Sequence, residues 1–113
     1  MKEVSSIGIS ELIEMSQRMY GDLVKAVVDV VNKRLVIDAE MHADQESFLL
    51  RSGSSQDNLW GINLHPEFFG TDDFVEFDSM INLRPGQGNR SRSVDNPAIR
   101  EQIRKIVLDT VHE

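Results

Sequence analysis

The chain has 113 residues, 40% hydrophobic and 27% charged, with no cysteine and a formal net charge of −7. A chain of this size and composition can bury a core without covalent staples, which excludes whole-chain disorder. The missing cysteines exclude disulfides, thiolate zinc sites and a cysteine nucleophile, and the acidic total argues against generic binding to nucleic-acid backbones.

Taken in chain order, residues 1–6 contain no apolar stretch of the signal-peptide kind. The densest apolar run, residues 26–31, is interrupted by Asp29, and nothing approaches the roughly 20 apolar residues of a membrane span. The expectation is a cytoplasmic protein, not associated with membrane, with residues 1–113 forming one domain. A first helix is predicted over residues 10–20. Ile9, Leu12, Ile13, Ser16 and Met19 follow the helical repeat, Ser10 can cap the start, and Gly21 suits the end.

Residues 23–31 and 34–41 are β-branched runs on either side of Asn32-Lys33. With those two residues as a tight turn, Val30 faces Leu35, Val28 faces Ile37, Ala26 faces Ala39 and Val24 faces Met41, all on one side of the sheet. The reverse side receives Lys25 opposite Glu40, Val27 opposite Asp38, Asp29 opposite Val36, and Val31 opposite Arg34. A one-residue slip would mix the two faces, so the parity of the pairing is well specified.

A second helix is predicted over residues 44–52, with Asp44 as its cap and Phe48 and Leu49 docking on the sheet. Leu59–Leu64 reads as a third strand with Trp60, Ile62 and Leu64 on one face. Gly61 within it marks a bulge or a close backbone approach. Residues 74–83 read as a fourth strand, stopped by Pro85, with Val75, Phe77, Ile81 and Leu83 on one face. After an irregular stretch at 84–96, a last helix over 97–111 starts at Pro97 and buries Ile99, Ile103, Ile106, Val107, Thr110 and Val111. The predicted fold class is α+β. It has two layers, a four-stranded, mainly antiparallel sheet with three helices on one face, in the order α-β-β-α-β-β-α. The outer face would carry Asp29, Asp38, Glu40, His42, Glu76, Asp78 and Asn82 but also Val27, Val31, Val36 and Met80. A half-apolar surface of this kind suits a homodimer.

Chemistry-bearing residues fall in two segments. His42-Ala43-Asp44 sits where a strand becomes a helix, so Asp44 could orient His42 as a general base, or simply cap the helix. A metal on Asp38, Glu40 and His42 fits poorly, because strand residues two apart are separated by about 6.6 Å, and no metal is assigned. The second segment is 84–92. Its glycines allow close backbone approach, and its arginines are bidentate donors for phosphate or carboxylate. Arg84, Asn89, Arg90 and Arg92 are therefore the candidate ligand residues. The spacing is neither that of a phosphate-binding P-loop nor that of a dinucleotide fingerprint. The bland alternative is a loop whose arginines pair with the acidic sheet. Charge is uneven, since residues 22–81 hold twelve acids and four bases, and residues 84–105 hold six bases and two acids.

Three stretches resemble a family of small prokaryotic proteins of unknown function. They are His42-Ala43-Asp44; Leu59-Trp60-Gly61-Ile62-Asn63; and Ser79-Met80-Ile81-Asn82-Leu83-Arg84-Pro85 with Gln87-Gly88-Asn89-Arg90-Ser91-Arg92. The resemblance implies a compact prokaryotic domain and carries no activity, cofactor or site residue with it. Two functional expectations follow from the residues themselves. One is a non-catalytic, homodimeric interaction or regulatory domain. The other is a small enzyme or sensor that binds an anionic small molecule through the arginine-rich loop. No cofactor is assigned, and nucleic acid is not an expected partner.

Overall fold

In a computed structural model describing residues 1–113, the elements in chain order are β1 (Lys2–Val4), β2 (Ile7–Gly8), α1 (Ile9–Met19), β3 (Val24–Asp29), β4 (Arg34–Ile37), α2 (His42–Arg51), β5 (Leu59–Leu64), β6 (Val75–Glu76), α3 (Pro97–Thr110) and β7 (Val111–His112). Five strands form one antiparallel sheet in the order β1-β4-β3-β5-β6. β2 and β7 form a separate parallel pair. The α+β class and the three helices are as expected, but the predicted four-strand order is incomplete. It lacked β1, an edge strand only three residues long. A forked ion pair docks β1 on β4: Arg34 Nε and Nη2 each donate to a Glu3 carboxylate oxygen at 2.8 Å.

The hairpin forms with its predicted faces but two residues out of the predicted register. Val28 pairs with Leu35, Ala26 with Ile37, Val27 with Val36 and Asp29 with Arg34. A shift of two preserves parity, which is why each side chain kept its face. The cause of the shift is Asp29. Its Oδ1 accepts the backbone N–H groups of Val31 (3.0 Å) and Asn32 (2.9 Å), and its Oδ2 accepts from Asn32 Nδ2 (2.9 Å) and Ser54 Oγ (2.6 Å). The loop therefore spans residues 30–33, and Lys33 closes it at φ 55°. On the other arm, β4 ends at Ile37 because Asp38 adopts φ 66° and turns the chain away. Asp38, Glu40 and His42 consequently do not share a strand face, and no ion pair joins Lys25 to Glu40.

Asp29 is fully buried. Burial alone would raise its pKa, but the hydrogen bonds from Asn32, Ser54 and Val31 outweigh it and hold the carboxyl below its usual value. A group with a lowered folded-state pKa stabilises above its unfolded value, about 3.9, and that stability is lost as the pH falls through the folded value. Asp29→Ala should cost about 3 kcal/mol near neutrality and flatten the acid limb of a urea-midpoint-versus-pH curve.

The predicted two-layer arrangement is corrected by helices on both faces of the sheet. On one face, α1 and α3 bury Leu12, Met15, Ile103 and Val107 against Ala26, Val28, Leu35, Ile37, Ile62 and Leu64. On the other, α2 places Leu49, with Phe48, over Val27, Val36 and Leu59, and Ile81 joins this second cluster. The half-apolar outer face on which the homodimer expectation rested is thus mostly covered from within the chain.

The predicted fourth strand is cut short. Only Val75 and Glu76 pair with β5, opposite Leu64 and Asn63. Beyond them, residues Met80–Asn82 form a single helical turn, and the edge of β5 is completed by a side chain. Asn82, fully buried, accepts from Gly61 N–H through Oδ1 (2.8 Å) and donates from Nδ2 to the carbonyls of Gly61 and Arg92 (2.9 Å each). Its carboxamide thus does what the peptide group of a paired strand would do.

Candidate functional site

The odd-numbered side chains of β5 face α2, and at Gly61 that face has no side chain at all. Ser79 and His42 occupy the space instead. A Cβ on Gly61 would lie 2.5 Å from Ser79 Oγ and 3.2 Å from His42 Cγ. The close approach expected of a glycine in this strand is therefore real, and it brings the start of α2 and the segment after β6 together over β5. Between them lies a cleft of about 360 Å³.

His42 is the first residue of α2 and is 6% exposed. Its Nε2 lies 2.7 Å from the carbonyl oxygen of Ile62. A carbonyl can only accept, so Nε2 carries the proton and Nδ1 carries the lone pair. Nδ1 has no hydrogen-bond partner within the chain. Burial pushes the His42 pKa below its usual value and, with nearby Lys25 and Arg92, outweighs the opposing effects of the Ile62 hydrogen bond and Asp78. At neutral pH the ring is uncharged, and it belongs to a residue that lines the cleft with Nδ1 as its acceptor.

Asn63, two residues along β5, also lines the cleft and is 5% exposed. Its Nδ2 donates to Glu76 Oε1 (2.9 Å) and to the Asp78 carbonyl (3.4 Å), which fixes the amide orientation. Its Oδ1 is buried without a donor. The charged lining consists of Lys25, Glu40, Asp78 and Arg92. Lys25 has no carboxylate partner; its Nζ lies 5.2 Å from the centre of the Tyr20 ring, and the Tyr20 hydroxyl donates to the Glu40 carbonyl. Arg92 uses Nε on Asp78 (2.8 Å), leaving its terminal nitrogens free. The α2 N-terminus has no side-chain cap, so its positive end also faces this space.

Of the residues singled out from sequence, His42 and Arg92 meet in this cleft. Asp44 does not; it lines a separate hollow with Asp38 and Arg51, and no hydrogen bond joins it to His42. Arg84 lies against the Trp60 ring, 4.2 Å from its centre, and donates to the Leu59 carbonyl (2.6 Å) and the Gln56 carbonyl. Burial lowers its pKa. Asn89 is buried and organises its own loop, donating to the carbonyls of Asn82, Ser91 and Ser93 and accepting from Asp95 N–H. Arg90 is exposed and lies outside the cleft, its N–H bonded to Asp95. The loop at 84–96 is therefore held by its own side chains. Lys25, Asn63 and Ser79 were not recognised as site residues. Only Gly61 carried a signal, and it did not say what approaches.

A second hollow, about 500 Å³, is lined by His65, Asp72, Asp73, Glu76 and Arg104. There His65 pairs with Glu76 at 3.2 Å, and the histidine has no free, fixed acceptor comparable to His42. No helix is long and apolar enough to cross a membrane. A family model described as "Protein of unknown function (DUF5674)" matches residues 4–110. No curated protein and no solved structure matches the chain.

Proposed function

The chain belongs to this family of unknown function, and from its cleft we propose that it is a small-ligand domain that takes an anionic group, carboxylate or phosphate, beside a histidine able to act as acceptor or general base. The observation that carries this reading is the fixed His42 ring: protonated on Nε2 by its 2.7 Å contact with Ile62, and bare on Nδ1 in a cleft. Lys25 and the free end of Arg92 supply the positive charge for the anion, with the uncapped start of α2 behind them. Arg90, at the outer end of the same loop, extends the positive field and is not needed at the cleft itself.

The test is an NMR titration of the three histidines with inorganic phosphate. His42 should show the Nε2–H tautomer at pH 7, and millimolar phosphate should shift its Nδ1 resonance. The Lys25→Ala/Arg92→Ala double variant should lose that response while keeping the tautomer. A His42 ring already protonated at pH 7, or unmoved by phosphate, overturns the reading. The lowered pKa also has a sign: stability is unaffected by His42 above about pH 6.5 and declines as the pH falls through the folded-state value.

The homodimeric interaction domain is the other reading. Its remaining support is the exposure of Met41 (58%) and Met80 (63%) at the mouth of the cleft, which a ligand would also use.

A further inference from the structure

Resting on the reading of the cleft as an anion-binding site, we infer that its ligand is a zwitterion of the α-amino-acid type with an apolar side chain. Three features of the cleft support this. Its charged lining is balanced, with Lys25 and Arg92 against Glu40 and Asp78. A purely anionic ligand would meet two carboxylates as well as two cations, whereas a ligand with both charges complements the whole lining. Next, two residues that line the cleft carry acceptors without donors: His42 at Nδ1, left bare by the Ile62 contact, and Asn63 at its buried Oδ1, whose amide cannot flip because Nδ2 already serves Glu76 and the Asp78 carbonyl. Asn63 is more than nine-tenths buried, so an unmet acceptor there carries a real cost that an N–H donor would remove. An ammonium offers three such donors. Finally, the mouth carries Met41, Met80 and Tyr20, all exposed, and Ile81. Thioether and aromatic groups of this kind adapt to an aliphatic side chain.

The chemistry is thus divided by position. The carboxylate goes to Lys25 and the free end of Arg92, the ammonium to His42 Nδ1 and Asn63 Oδ1 with Asp78 alongside, and the side chain to the methionines. A cleft of about 360 Å³ is large enough for one such molecule.

The experiment compares four probes by the shift of the His42 and Asn63 side-chain resonances: L-leucine, 4-methylpentanoate (no amine), 3-methylbutylamine (no carboxylate) and inorganic phosphate. L-leucine should bind at least tenfold more tightly than either truncated analogue. Lys25→Ala, a change at a partly exposed side chain, should weaken leucine and 4-methylpentanoate together and leave 3-methylbutylamine unchanged. If 4-methylpentanoate matches leucine, the zwitterion inference falls and the anion site stands. The same holds if phosphate alone moves His42. If no probe moves His42, the anion reading and the inference fall together.

Discussion

Replacing Asn82 by alanine should remove about 4 kcal/mol of stability, the largest loss expected from any single polar side chain here. The substitution strips the Gly61 N–H and the Gly61 carbonyl of the partner that Asn82 gives them at 2.8–2.9 Å, and takes from the Arg92 carbonyl one of its two donors, the other being the Ser79 N–H at 3.0 Å. Each buried backbone group left unsatisfied costs about 1–3 kcal/mol, partly recovered where water enters. Against a typical total of about 5–15 kcal/mol, such a loss takes the protein close to unfolding. The one tryptophan, Trp60, adjoins Gly61, so fluorescence-monitored urea denaturation reads the effect directly. Asn82→Asp separates lost hydrogen bonding from lost volume. A carboxylate there would face two carbonyl oxygens, so the variant should be weaker at pH 8 than at pH 5, where protonation restores a donor. A midpoint for Asn82→Ala within experimental error of the parent would show that the carboxamide is not completing the sheet edge.

Gly61→Ala should cost on the order of 3 kcal/mol and close the cleft. The new methyl would sit 2.5 Å from Ser79 Oγ and 2.6 Å from Ser79 Cβ, far inside contact distance. Gly61 is held between β3 and Asn82 and cannot retreat, so Ser79 and His42 must move. Moving His42 breaks its bond to Ile62, and the fixed tautomer should then be lost along with the phosphate response. Ser79→Gly in the same chain removes the two nearest atoms and should restore most of the stability. Failure of that rescue would mean that the strain lies elsewhere.

Much of the fold could be read from the sequence where the signal was periodic. The faces of the hairpin, the apolar face of β5 and the buried stripe of α3 all followed from spacing, because burial on one side imposes it. What could not be read depended on single polar side chains acting at a distance. Asp29 enlarged the turn by capping it, and Asp38 ended β4 with a left-handed backbone. Val75, Phe77, Ile81 and Leu83 alternate as a strand would, yet the backbone leaves the sheet after Glu76 and Asn82 returns to it. The side of the sheet taken by α2 was equally hidden, since a short helix with few apolar residues fits either face. The site suffered most from this. His42 was recognisable as a reactive type, but its partners come from β3, β5 and the segments around residues 78–92, and no local spacing brings them together. The arginine-rich loop attracted notice for composition, whereas Arg84 and Asn89 spend their donors on backbone carbonyls.

The pairing of Ile7–Gly8 with Val111–His112 ties the two ends of the polypeptide to each other. Peeling β7 away must therefore also free β2, although β1 stays held by β4 and the Glu3–Arg34 ion pair, so the opening of β2 and β7 is a joint event rather than two independent ones. Topologically the backbone is nearly a closed ring, and the first opening that a protease or an exchanging solvent proton finds should lie in an interior loop, not at the tails.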